Sequence, residues 1–251
     1  MPEEGPVPIA VICEDEPDRR VACDLADRVL CSRVEWIEPQ VLDSYRSWHG
    51  AQSPFSFLKL SRVWELAKDQ NIKVLGHFNE QPGEPDSRVA KAAFLLLVAA
   101  NPLPQVVFFV RDTDNELDRE KGWTQARDSR SWPFTIIVGM QHTKRECWIL
   151  AGYAPRNDSE NASLSNLRQE LGFNPTTHSH LLTAKNDQAK NSAKRALRIL
   201  ADDNPNREQS CWQETPLEVL KTNGSGNGLK DFLEEIETRL VPLFHPAGNH
   251  P

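Results

Sequence analysis

At 251 residues, with 39% hydrophobic and 26% charged residues, the chain has the size and composition of one globular α/β domain, or one domain with an appended module. The longest apolar stretch, Ala92 to Ala100, is too short to cross a bilayer, and the acidic, proline-rich start (Glu3, Glu4) speaks against a secretory signal. A net charge of −7 argues against nucleic-acid binding driven by bulk charge, and five scattered cysteines form neither a disulfide framework nor a zinc pattern, so reduced thiols in a cytoplasmic protein are expected.

In chain order, the run from 7 to 13 reads as a buried strand, and Arg19 to Leu30 as an amphipathic helix with Asp18 at the N-cap. Val34 to Ile37 reads as a short strand, and Glu38 to Ser53 as an insertion or loop. Phe55 to Asp69 is expected to be helical, and Ile72 to Phe78 to be another strand. Asp86 should cap a helix from Ser87 to Ala100. Pro102 and Pro104 then break the chain before a strand from Gln105 to Val110. A polar helix, Glu116 to Arg127, precedes the strand Phe134 to Met140, which leads into Lys144 to Leu150. The remainder reads as helices near 161–171, 187–201, 207–221 and 228–243, with Asn223 to Asn227 as a hinge and a frayed tail from His245. Strands alternating with helices imply an α/β fold: a mostly parallel sheet flanked by helices over 1–155, and a helical C-terminal extension over 156–251 packed on it.

Two acidic clusters follow the most apolar strands. Pro8 to Cys13 runs into Glu14-Asp15-Glu16-Pro17-Asp18, and Val106 to Val110 runs into Arg111-Asp112-Thr113-Asp114. Ligands of parallel sheets collect outside the carboxyl ends of the strands, and carboxylates converging there repel one another unless a cation neutralises them. Magnesium takes hard oxygen ligands and keeps several waters, so two or three carboxylates suffice. Charge is also unevenly spread. Residues 1–30 hold eight Asp/Glu against three Lys/Arg, whereas 141–200 hold nine Lys/Arg against five Asp/Glu, which leaves room for one acidic and one basic surface.

A strand ending in Glu14, then Asp18 at a helix start, then a later strand ending in Asp112-x-Asp114, resembles the Toprim domain of topoisomerases, bacterial primases and the overcoming-lysogenization-defect (OLD) nucleases. Glu146-Cys147-Trp148, Leu171-Gly172-Phe173-Asn174-Pro175 and Leu182-Thr183-Ala184 resemble small stand-alone prokaryotic Toprim-like proteins, so that the resemblance covers residues 7–200. The family commonly has glycine after the glutamate, where this chain has Asp15. The resemblance implies a Toprim-like sheet and a magnesium- or manganese-dependent nuclease acting on DNA or RNA. Glu14, Asp112 and Asp114 would be catalytic, with Asp18 and Glu146 completing the metal set. Lys144, Arg145, Lys190, Lys194 and Arg195, with Lys185 and Arg198, would receive phosphates. The resemblance further implies a role in defence against phage or mobile DNA beside an ATPase partner; the chain has no Gly-x-x-x-x-Gly-Lys loop of its own, so any ATP hydrolysis would come from elsewhere.

Each residue also has a plainer reading. Asp112 and Asp114 can make a turn and cap the helix near Glu116; Glu14 can be a solvated strand end, and Glu146 a helical surface residue. Arg111 suits a salt bridge within the acidic cluster as well as a phosphate. His77 reads as a core-edge residue, and His178 and His180 lack a zinc pattern around them. The tryptophans read mostly as core; Trp123 and Trp132, in polar surroundings after Asp114, have base stacking as a second reading, with core the favoured one. A non-catalytic Toprim-like subunit acting as an interaction scaffold is the main alternative. A haloacid-dehalogenase-like phosphatase would carry Asp-x-Asp on its first strand, and a nucleotide-sugar transferase would leave Glu14 and Asp18 unexplained.

Overall fold

A computed structural model describes residues 5–51, 55–78 and 80–245. The fold is α/β, with a five-stranded, mostly parallel sheet. Strand β1 (Val7–Cys13) is central, its residues Ile9 to Cys13 fully buried, as a strand covered on both faces requires. Along one edge it pairs in parallel first with β2 (Arg46–His49) and then with β3 (Leu58–Lys59), Cys13 lying opposite Lys59. Along the other edge it pairs in parallel with β6 (Val106–Asp112), Ile9 opposite Val106 and Ile12 opposite Phe109. Strand β7 (Thr135–Gln141) follows β6, giving the order β2-β1-β6-β7.

The chain divides into two compact units. The first comprises Met1–Arg111, Leu117–Gly139 and Glu234–Pro251; the second comprises Asp112–Glu116 and Met140–Leu233. The boundary expected near 155 thus falls inside the second unit. In the first unit lie helices α1 (Glu16–Arg33), α2 (Val63–Asp69), α3 (Ser87–Val98) and α4 (Asp118–Asp128), together with a separate antiparallel hairpin of β4 (His77–Phe78) and β5 (Gln81–Pro82).

Several expectations are corrected here. Helix α1 begins before Asp18: Asp15 is the N-cap, Pro17 sits in the first turn, and Asp18 is the third helical residue, its carboxylate accepting the Asp15 N–H at 3.0 Å. Val34 to Ile37 forms a turn rather than a strand, with Val34 and Ile37 buried and Trp36 exposed. The strand lies instead at Arg46–His49, within the stretch expected to be a loop. Its polar sequence hides it, because buried Arg46 is neutralised by both oxygens of Asp27 at 2.7 Å and by Asp43. Only Lys59 and Leu58 of the expected helix 55–69 are extended, and a 3₁₀ turn then leads into the shorter α2. Ile72 to Phe78 supplies no strand of the main sheet. The tail beyond His245 lies outside the described residues.

Helix α4 comes close to the segment that leads into α3. A Cβ on Gly122 would stand 1.7 Å from the Pro85 carbonyl oxygen, a backbone atom that cannot swing aside. Gly122→Ala is therefore expected to lower unfolding stability by about 1–3 kcal/mol in chemical denaturation, through overpacking rather than helix propensity.

The second unit is helical: α5 (Arg145–Ala151), α6 (Asp158–Leu171), α7 (Ala193–Ala201), α8 (Pro205–Gln213), α9 (Leu217–Asn223) and the start of α10 (Leu229–Glu235). The expected helix 207–221 is split ahead of Pro216, which cannot donate a helical N–H. The expected helix 187–201 starts at Ala193, because Ser192 caps it by accepting the Arg195 N–H. Asn223 to Asn227 is not a hinge at its end. Asn227 is buried, donates to the Cys147 carbonyl and Ser179 Oγ (both 2.8 Å), and its own carbonyl accepts from Trp148 Nε1 and the His142 N–H.

Arg207 grips both oxygens of Glu160, at 3.1 and 2.9 Å, and lies over the Tyr153 ring. This pairing holds the Glu160 carboxyl below its ordinary range. A carboxyl depressed in the folded state adds stability above the unfolded value, near pH 4.3, and loses that contribution as pH falls through the folded value. Arg207→Gln should therefore flatten the acid limb of the stability–pH curve below about pH 4.3, as followed by urea midpoints across that range.

Candidate functional site

In the first unit, the carboxyl ends of β1, β3 and β6 border a cleft of about 410 Å³ lined by Glu14, Asp15, Lys59, Trp64, Asp86 and Arg111. The parallel pairings place these residues together, since Glu14 follows β1, Lys59 ends β3 and Arg111 sits near the end of β6. Arg111 Nε donates to Glu14 Oε1 at 3.0 Å, and Arg111 Nη1 stands 2.8 Å from Asp86 Oδ2. Arg119 approaches the same Asp86 oxygen at 3.5 Å. Asp86 occupies the N-cap position of α3, as expected, but in a left-handed conformation (φ 62°) and without a capping bond; its carboxylate serves the arginines instead. Lys59 Nζ donates to Asp15 Oδ1 at 2.8 Å across an exposed pair, and that carboxylate raises the ammonium above its ordinary value.

In the second unit, the Asp112-Thr113-Asp114 motif is laced to the last residue of β7 and the segment after it. Thr113 N–H donates to the Gln141 carbonyl at 3.1 Å and Asp114 N–H to the Thr143 carbonyl at 3.0 Å. Asp112 Oδ1 accepts the Arg145 N–H at 2.8 Å, at the first turn of α5. Thr113 is buried, and its hydroxyl meets His142 Nδ1 at 2.7 Å. Burial, then the neighbouring His180, pushes the His142 imidazole below its ordinary value, so the neutral ring is the form that supports the motif at neutral pH. Asp114 and Asn115 are left-handed (φ 49° and 68°), which turns the chain sharply after the strand. The plainer expectation for this motif is corrected: the N-cap of α4 is Leu117, not Asp114.

Other expected residues are placed as follows. Glu146 is buried on α5, not a surface residue, and lies 3.1 Å from Arg145 Nη2. Lys144 and Lys194 converge on Asp187 at 3.4 and 3.1 Å. Arg195 pairs with Glu170 at 3.0 Å and donates to the Lys190 carbonyl at 3.3 Å. Lys185 stands 3.8 Å from Glu116, and Arg198 donates to Gln188. Trp123 is fully buried, and Trp132 donates to the Arg127 carbonyl and stacks on Phe134. All five cysteines are free, and four are buried.

Asp18 spends its carboxylate on the Asp15 backbone. Among the described residues, no three His, Cys, Asp or Glu side chains converge on one point that would hold a metal ion. The acids at the strand ends are all oxygen donors, the hard type that magnesium takes from one or two carboxylates plus substrate phosphates. Reasoning from sequence missed Asp86, Lys59 and Trp64 as site residues. Asp86 looked like a cap and the other two like one helix, and only the strand pairing brings them together. His142 carried no signal at all. No protein-family model, curated protein or solved structure matches this chain, and no helix among the described residues is long and apolar enough to cross a membrane.

Proposed function

We propose that this chain is a magnesium- or manganese-dependent nuclease of the Toprim type, cleaving DNA or RNA phosphodiesters with Glu14, Asp112 and Asp114 as its working carboxylates. One observation carries the reading: β1 and β6, the two strands that lead into the acidic clusters, are immediate parallel neighbours, Ile12 opposite Phe109. Active groups of parallel sheets gather at that carboxyl edge. Glu14, Asp18, Asp112, Asp114 and Glu146 are the ligand set that the resemblance implies for the ion. When bound, the ion would supply Lewis-acid polarisation of the phosphodiester. Arg111 offsets repulsion between Glu14 and Asp86 and orients Glu14 through a charged hydrogen bond. The backbone bonds to Gln141, Thr143 and Arg145 hold Asp112 and Asp114 in a set conformation. Lys144, Arg145, Lys190, Lys194 and Arg195 would contact phosphates of the substrate backbone.

By the same resemblance, the nuclease would act in the cytoplasm of a prokaryote against phage or mobile DNA, beside an ATPase partner. A second reading, a non-catalytic scaffold subunit, draws on a specific observation: Glu14 is met by Arg111, and no three metal-ligating side chains converge among the described residues. Incubating purified protein with plasmid DNA and with RNA, in magnesium or manganese against EDTA, separates the two. Metal-dependent cleavage supports the nuclease. Intact substrate in every metal, together with stable capture of an ATPase partner, supports the scaffold.

A further inference from the structure

We propose that the first-unit cleft binds one unpaired nucleotide of a single-stranded nucleic acid, its base stacked on Trp64 and its phosphate on Lys59. The inference builds on the nuclease reading, since Glu14 forms one wall of the cleft, and it names the substrate class as single strands rather than duplex.

Trp64 stands out among the tryptophans because it is 46% exposed while lining a cleft. An exposed indole at a cleft wall stabilises little by burial, but it offers a π-face to any base released from a stack. The Arg88 guanidinium lies over the same ring, 5.6 Å from its centroid, so a stacking base takes the opposite face or displaces that cation. Lys59 brings a charged ammonium with three donors, and its observed partner Asp15 is itself exposed, so a phosphate can share or replace that contact. The volume of about 410 Å³ falls in the range of small-ligand sites. The net charge of −7 matters here. An acidic chain gains little from the bulk electrostatics that drive duplex binding, so its affinity must come from local contacts, and stacking is one that salt does not screen. A paired duplex keeps its bases within the helix and offers none to Trp64.

The test measures anisotropy of 5′-fluorescein-labelled dT12, U12 and a 12-base-pair DNA duplex with the full chain in EDTA, so that no cleavage intervenes. Single strands should bind more tightly than the duplex, and the tighter of the two strands identifies the DNA or RNA arm. Trp64→Ala should weaken single-strand binding about fivefold to a hundredfold, and Trp64→Phe should restore most of it. Lys59→Ala should weaken binding and reduce the salt slope by about 0.7. Equal thermal melting of the variants and the wild type checks that these exposed positions leave the fold intact. Preference for duplex, no binding of any oligonucleotide, or unchanged affinity in both Trp64→Ala and Lys59→Ala overturns the proposal. Trp64-dependent binding without metal-dependent cleavage would instead remove the nuclease reading and leave the cleft standing.

Discussion

On the proposed nuclease reading, Asp112→Asn is expected to reduce metal-dependent cleavage by about a hundredfold or more while the protein stays folded. The separation of the two effects follows from the local geometry. Asp112 Oδ1 accepts the Arg145 N–H at 2.8 Å, and an asparagine Oδ1 in the same place still accepts it, without the charge assistance. On the nuclease reading, what the substitution removes is negative charge that a bound divalent ion would need. Asp114→Asn offers a parallel case, because Asp114 is left-handed (φ 49°) and asparagine tolerates that conformation. Plasmid nicking assays paired with denaturant midpoints read both quantities. Retained cleavage in Asp112→Asn would remove this residue from the mechanism; loss of both cleavage and folding would show that its role is structural.

Trp148→Ala is expected to cost about 3–5 kcal/mol of unfolding stability, the range for truncating a large buried aromatic. Trp148 is fully buried, stacks on Phe232 with centroids 4.8 Å apart, and donates its indole N–H to the Asn227 carbonyl at 2.8 Å. Asn227 in turn ties the Cys147 carbonyl, Ser179 and His142 into one network. Truncation therefore opens a cavity and removes one of the two donors to the Asn227 carbonyl, which keeps the His142 N–H, so the cavity is the larger cost. Trp148→Phe keeps most of the packing and loses only the hydrogen bond, so its cost should be markedly smaller. Urea unfolding of the two variants separates the terms. A loss under about 1 kcal/mol for Trp148→Ala would mean that the helical unit does not depend on this contact.

The α/β class and the positions of β1, α1, α3, β6 and β7 were legible from the sequence, because the strands are short apolar runs rich in β-branched or aromatic residues and the helices carry apolar residues at helical spacing. Val106 to Val110 has no other economical reading than a buried strand, and Ser87 to Val98 none other than a helix. The prospect of acidic groups at one edge was equally legible, since it needs only a strand followed by carboxylates. What failed were elements whose stability comes from outside themselves. Strand β2 carries a buried arginine that makes sense only with Asp27 beside it, and Lys59 is extended because Cys13 lies opposite.

From its residues alone, then, this protein has its layered class, its regular elements and two acid-tipped strands, since local periodicity and composition are properties of contiguous segments. Tertiary structure alone decided that β1 and β6 are neighbours, that Arg111 binds Glu14 and stands beside Asp86, that Asp112 accepts the first N–H of α5, and that Trp64 and Lys59 share a cleft. Each of these joins residues far apart in the chain. Such pairings depend on which hydrogen-bonding edges and charges find one another during folding, and no local pattern encodes that choice.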